Sequence, residues 1–235
     1  MERIKMQKTA LITGSYGGLG TCFVELHAAT HGDVILVGRS KEKLEQQKQY
    51  AEKTYSVSAH IISVDLSTED AAQFIFDTCK LNGWSVDYLI NNAGFGGQGD
   101  FARERTMEDD LSMIALNIAT PTRLCKLFLP EFIKRGSGKV LNVSSTAAVM
   151  PGPLQAVYYA TKSYLTSFSN ALWRELKGTG VTVTALMPGA METGFAKTGG
   201  LTEMKLFANA VSPMMPKKAM MDFVYSQQLV GSAKK

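Results

Sequence analysis

Cysteine is scarce: Cys22, Cys79 and Cys125 are the only three in 235 residues, far apart and without CxxC or Cys/His spacing. That excludes a disulfide framework and a zinc site, so no metal is expected and a reducing compartment fits. Long apolar runs are missing too. No stretch approaches the roughly 18 residues that a membrane span needs, and the opening "MERIKMQK" lacks the apolar core of a signal peptide. The expectation is a soluble, cytoplasmic protein with no membrane span. Charge of one sign is not concentrated either: the net +4 is spread along the chain, with no segment that interleaves basic and aromatic residues. Nucleic acid is excluded as a partner on that ground. Repeats and low-complexity linkers are absent. With 45% hydrophobic residues, the chain has enough for one large core and too little length for two, so residues 1–235 read as a single domain.

What is there alternates. Short apolar runs at 9–13, 33–37, 59–64, 87–91, 139–144 and 181–187 are separated by stretches at about 19–30, 41–55, 69–82, 107–135 and 155–177 in which apolar residues recur every three or four positions. Strands apolar on both faces and spaced by helices imply a parallel sheet covered on both sides. The fold class is therefore α/β, doubly wound and Rossmann-type. After Met187 the pattern loosens into a segment rich in Gly, Pro and Met, and residues 189–216 read as a flexible flap over a substrate or a partner-facing surface.

"TGSYGGLG", residues 13–20, joins the first strand to the first helix. Backbone N–H groups there, with the helix dipole behind them, favour an anion. Gly14, Gly18 and Gly20 allow a tight turn and close backbone approach. The spacing is GxxxGxG, and alone it is equally a plain turn; its place between strand and helix favours a nucleotide. Where the second strand ends, an NAD site would place an acidic residue, whereas this chain reads "VGRSK". Asp33 lies at the wrong end of that strand. Arg39 offers a planar, permanent charge to a 2′-phosphate, so NADP(H) is preferred over NAD(H). Arg39 as a solvated helix-start arginine is the plain alternative.

"VYYATK", residues 157–162, places Lys162 four residues after Tyr158, a pairing that chance alone supplies at about the level of one per chain with 8 Tyr present. Context lifts it. "NVSS" ends the fifth strand, and Ser145 precedes Tyr158 by thirteen residues across the loop "MPGP". TGxxxGxG, the Asp-Leu of "VDLS", "NNAG", a lone Asn in the long fifth helix, Ser, YxxxK and a "PG" after the sixth strand all occur in order. Jointly they resemble the short-chain dehydrogenases/reductases over nearly the whole chain.

The resemblance implies hydride transfer between a nicotinamide and a carbonyl or alcohol carbon. It makes Tyr158 the general acid/base, Lys162 its tuner and the grip on the nicotinamide ribose, Ser145 the holder of the substrate oxygen, and Asn117 the end of a proton relay. It also assigns Ser15, Tyr16 and Leu19 of the glycine loop to the cofactor. Asp65 and Leu66 resemble the adenine-binding pair, and Asn91, Ala93 and Gly94 the segment beside the ribose. Pro188, Gly189, Met191 and Thr193 resemble the strip along the carboxamide and pyrophosphate. For Asp65 a helix cap is the plain alternative, and for "NNAG" a strand-end turn. Members of the family form homodimers and homotetramers, which is the expectation here.

The chemistry accounts for the residue types. Negative charge develops on a carbonyl oxygen as hydride arrives, and a nearby O–H both stabilises it and supplies the proton. An ordinary Tyr, at about 10, is a poor proton exchanger, and Lys162 on the same helical face would favour the phenolate. Tyr159 is about 100° round the helix and reads as packing or pocket wall. Pro121 has no N–H for the carbonyl of Asn117, so a bend is expected there, with or without a relay water on the freed carbonyl.

Candidate walls are Phe95, Gln98, Thr146, Leu154, Gln155, Met191, Phe195, Met204, Met214 and Met215. They suit a bulky hydrophobic ketone, acyl chain or steroid, unless the methionines are core. The family's seventh, edge strand has no counterpart after "MMDFVYSQQLVGSAKK". That leaves a second reading beside the small-molecule carbonyl or alcohol enzyme: a catalytically silent NADP-binding regulatory or scaffold protein.

Overall fold

Runs apolar on both faces can be buried only if helices cover both sides of the sheet they form, and that is the arrangement found. The computed structural model describes residues 7–189. Six strands, β1 (Thr9–Thr13), β2 (Asp33–Gly38), β3 (Ala59–Ser63), β4 (Tyr88–Asn91), β5 (Gly138–Val143) and β6 (Val181–Leu186), lie in the order β3-β2-β1-β4-β5-β6. Every pairing is parallel. Each strand matches its expected run to within a residue at either end.

Alternation along the strands feeds two cores. Ala10, Ile12, Val34, Leu36, Ile90 and Leu141 meet helix α1 (Gly18–Ala28) and helix α2 (Lys41–Tyr55). Leu11, Ile35, Leu89 and Val140 meet the opposite layer, α3 (Ala71–Leu81) and α5 (Thr120–Arg135), with α6 (Ala156–Glu175) packed against it through Phe168 and Leu172. The strand order reverses between β1 and β4, and the crevice of such a sheet opens at the carboxyl ends of those two strands.

Local chemistry sets the helix ends. Ser40 caps α2 by accepting from the Lys43 N–H at 3.3 Å, and Ser56 closes it in the left-handed region at φ 55°. Thr106 caps α4 (Met107–Ile114), whose first turn carries Glu108, Asp109 and Asp110 against the positive end of the dipole.

The long helix expected over 107–135 is not one helix. Between α4 and α5, residues Ala115–Ala119 form a π turn in which the Thr120 N–H reaches back five residues to the Ala115 carbonyl. Pro121 is the physical reason: it has no N–H to give the Asn117 carbonyl, and its ring crowds that carbonyl, so the coil widens by one residue there. The Thr120 hydroxyl fills the gap, its single hydrogen shared between the Ala115 carbonyl and the carbonyl of Leu66 in the β3–α3 loop.

Candidate active site

The expected site residues within 7–189 lie at the carboxyl ends of the strands, in the first turn of α1, in the π turn that carries Asn117, and on the face of α6 beside them. Gly14 takes the left-handed conformation, φ +63°, and its N–H donates to the Val37 carbonyl at 2.8 Å, folding the glycine loop back over β2. Gly20 is fixed by space: a Cβ there would lie 2.1 Å from the Gly14 carbonyl oxygen. The N-terminus of α1 has Gly17 as its cap residue and no side-chain cap, so its first-turn N–H groups face the crevice. Leu19 faces away, into the core. Ser15 is fully buried with no partner for its hydroxyl.

Tyr158 and Lys162 share one face of α6. The Lys162 Nζ sits 5.8 Å from the Tyr158 ring centre and donates to the Val143 carbonyl at 2.9 Å. A hydrogen bond links Ser145 to Tyr158, and the Ser145 Oγ also accepts from the Ala147 N–H at 3.1 Å, capping a short 3₁₀ turn, Thr146–Val149. The Asn117 side chain staples the β4–α4 loop to α6: its Oδ1 accepts from the Phe95 N–H at 3.1 Å, and its Nδ2 donates to the Phe95 carbonyl at 2.9 Å and to Thr161 Oγ1 at 3.1 Å. Gly94 lies between them: a Cβ there would be 3.0 Å from Asn117 Oδ1 and 3.5 Å from the Lys162 Nζ. The four expected catalytic residues therefore converge on one spot.

Burial moves the two titrating groups in opposite directions, each toward its neutral form. Desolvation pushes Tyr158 up to about 12 against the pull of the Ser145 hydrogen bond, and pushes Lys162 down to about 8. The Lys162 charge, expected to favour a phenolate, is not among the causes of the Tyr158 shift, whose direction burial sets.

A sequence pattern now decides the lineage, for the family described as "short chain dehydrogenase" matches residues 8–203. The chain belongs to that family. Very-long-chain 3-oxoacyl-CoA reductase of Homo sapiens is 34% identical over 194 residues, 80% of this chain and 61% of that protein. Hydroxysteroid dehydrogenase-like protein 1 of Gallus gallus is 32% identical, over 84% of this chain and 60% of that protein. The chain thus spans about three fifths of the length of the curated relatives it matches. Among solved structures, a short-chain dehydrogenase from Sphingobium yanoikuyae in complex with NADPH superposes with a TM-score of 0.86 at 26% identity, over 92% of this chain and 84% of that one.

Other residues expected at a short-chain dehydrogenase site fall as follows. The Arg39 side chain is exposed at the end of β2, and Asp33 is spent at the other end, accepting from the Ser58 N–H at 2.7 Å. Asp65 is held below the usual carboxylate range by the Ser67 hydroxyl and N–H, 2.7 and 2.9 Å from its Oδ1, with Arg39 adding to the effect. Leu66 is core. Thr146 donates its N–H to the Pro188 carbonyl at 3.0 Å, which brings Pro188 and Gly189 beside the Ser145 turn. Asn91, the last residue of β4, turns its side chain inward, donating to Asn142 Oδ1 at 2.8 Å and weakly to the Cys125 sulfur, so that side chain supports the site from below. Phe95 packs with Tyr158 and Tyr159, and the Tyr159 ring covers Gly152. Met191, Thr193, Phe195, Met204, Met214, Met215 and nearly all of the expected flap lie outside the described residues.

Sequence reasoning missed the residues that hold the loops. Asn92 donates to the carbonyls of Thr13 and Gly14 at 2.9 and 3.0 Å, tying the β4 end to the glycine loop. Gln47 donates to the Ser15 carbonyl at 2.8 Å, and Ser144 donates to the Lys162 carbonyl at 2.8 Å. One signal was available for Gln47: it lies on the inward stripe Leu44, Gln47, Ala51, where a polar residue needs a buried partner.

A dinucleotide fits this crevice on two structural grounds. Uncapped N–H groups of α1 suit a pyrophosphate, and the buried Ser15 hydroxyl lacks a partner.

Proposed function

We propose that the chain is an NADP(H)-dependent oxidoreductase that reduces the carbonyl of a hydrophobic substrate, with 3-oxoacyl thioesters first and bulky or steroid-like ketones next. The observation that carries the reading is the buried Tyr158, hydrogen-bonded to Ser145 and one helical turn from Lys162. The glycine-loop N–H groups, Arg39, Asp65, Ala93, Gly94, Lys162 and Pro188 would hold the dinucleotide. When bound, NADPH supplies the hydride that converts the carbonyl carbon to an alcohol carbon. Ser145 and Tyr158 hold the carbonyl oxygen between two hydroxyls, and the Tyr158 proton moves to that oxygen as charge develops on it. The Lys162 ammonium stabilises the phenolate left behind. Burial raises the Tyr158 phenol, so it keeps its proton until a strongly basic, alkoxide-like oxygen is there to take it. The names of the human and chicken relatives support a lipophilic acyl or steroid substrate, as do the apolar Phe95, Leu154 and Val157 near Tyr158.

The test is NADPH oxidation over 3-oxoacyl thioesters, bulky ketones and steroid ketones, wild type against Tyr158→Phe. Turnover by wild type and a loss of about a hundredfold or more in the variant is expected. Saturable NADPH binding without turnover on any substrate would overturn the enzyme reading and favour the silent nucleotide-binding protein.

A further inference from the structure

The loop between β4 and α4 is wound about an ion pair. Arg105, the residue before the Thr106 cap of α4, sends its Nε and Nη2 to one oxygen of Asp110, Oδ1, at 3.0 and 2.9 Å. Its backbone N–H donates to the Asp100 carbonyl at 3.1 Å, so the turn 100–105 folds the side chain back beneath the loop that it ends. The face of the guanidinium lies against Gly97: a Cβ there would come 2.5 Å from Nη1, 2.6 Å from Cζ and 2.7 Å from Nη2. The two side chains are only 15% and 10% exposed, and Phe101, Met113, Leu154 and Val157 line the same cavity. Apolar side chains in place of such a pair are often as stabilising or more so, because the charges must first leave water. Stability therefore does not account for charges at this spot. A forked contact supplies direction instead, fixing Arg105, and with it Gly97, at one distance and angle from α4.

From that pair two routes lead to Tyr158. Gly99, with φ +141°, donates its N–H to the Leu154 carbonyl at 2.9 Å. Leu154 is itself in the left-handed region at φ 64°, a conformation that leucine keeps only where its surroundings impose it. It directly precedes Gln155, the N-cap residue of α6, three positions before Tyr158. On the other route Met113, three residues beyond Asp110 on α4, packs with Tyr158. We propose that Arg105 and Asp110 are positioning residues: the pair sets the wall formed by Phe101 and Leu154 at a fixed place relative to Tyr158, and so decides how bulky a carbonyl substituent is accepted. The proposal rests on the reductase reading above.

The experiment compares wild type with Arg105→Met/Asp110→Leu, which removes both charges and keeps their bulk. Melting temperature and the NADPH dissociation constant are measured, with kcat and KM for the smallest and the bulkiest substrates that wild type turns over. The expected result is a melting temperature close to that of wild type, unchanged NADPH affinity and small-substrate kinetics, and a bulky-substrate KM raised about tenfold at similar kcat. An unchanged bulky-substrate KM overturns the proposal. So does a loss on both substrates in step with a lower melting temperature, which a merely stabilising pair would give. Should the double variant fail to fold, Arg105→Lys keeps the charge and loses the fork: a selective rise in bulky-substrate KM supports the proposal, and no rise overturns it. Absence of wild-type turnover on every substrate overturns the reductase reading and the proposal together, whereas the other adverse results leave that reading standing.

Discussion

Lys162 couples two properties with opposite signs. Its folded value of about 8 lies below the roughly 10.5 of an unfolded lysine, so between those pH values the unfolded chain carries a proton that the folded chain has lost. Stability therefore rises with pH across that window, because the neutral amine fits the buried site and the ammonium does not. Carbonyl reduction runs the other way, since the ammonium is what stabilises the Tyr158 phenolate. Raising pH from 7 to 9.5 is expected to narrow the melting-temperature gap between Lys162→Met and wild type while wild-type kcat falls through about 8. Parallel stability profiles for the two proteins would contradict the assignment. Legibility at this scale was uneven. Tyr158, Ser145 and Lys162 were legible only through the ordered set of motifs that resembles the family, since the Tyr–Lys spacing alone is a chance-level pair. For the Asn91 side chain the sequence is silent, because "NNAG" does not say which asparagine faces the core; the register that sets it opposite Asn142 does.

Among the elements, the β1–α1 junction has the least tolerance. A methyl at Gly20 would meet backbone atoms, the Gly14 oxygen at 2.1 Å and the Ser15 oxygen at 2.6 Å, and backbone cannot rotate aside. Gly20→Ala is expected to cost about 1–3 kcal/mol, the range of overpacking, and to weaken dinucleotide binding by displacing the first turn of α1. Chemical denaturation and a nucleotide titration check the two halves, and a stable variant that binds normally would refute the contact. Strands and most helices were readable, since apolar runs and capping residues are local signals. The π turn was half readable. Pro121 signals a defect four residues upstream, but whether a helix bends or widens depends on what satisfies the loosened carbonyls, and here Thr120 does so with help from a distant loop.

For the molecule as a whole, acid is the predicted weakness. His27 is 1% exposed, its Nε2 lies 2.9 Å from the Lys8 carbonyl, and its Nδ1 has no partner. The carbonyl requires a hydrogen on Nε2, so a second proton would put a charge on a ring buried in the core. Desolvation accordingly holds His27 below its usual value, despite the opposing pull of Asp33 and Asp87. Below about pH 6.5 the unfolded chain gains a proton that the folded chain refuses, so stability falls with pH there and continues to fall until the folded value is passed. Melting curves at pH 7.5 and 5 should show a larger drop for wild type than for His27→Gln; equal drops would place the acid sensitivity elsewhere.

The Thr120 hydroxyl has a wider reach. It clamps the loop carrying Asp65 to the coil carrying Asn117, beside the Arg123–Glu69 ion pair that ties the same loop to α5, and so links the two ends of the crevice. A nucleotide pressing on one end is expected to stiffen the other through that hydroxyl. Replacing it by valine should uncouple them, so that amide exchange slowed at residues 65–68 by 5′-AMP is no longer accompanied by slowing at 115–119.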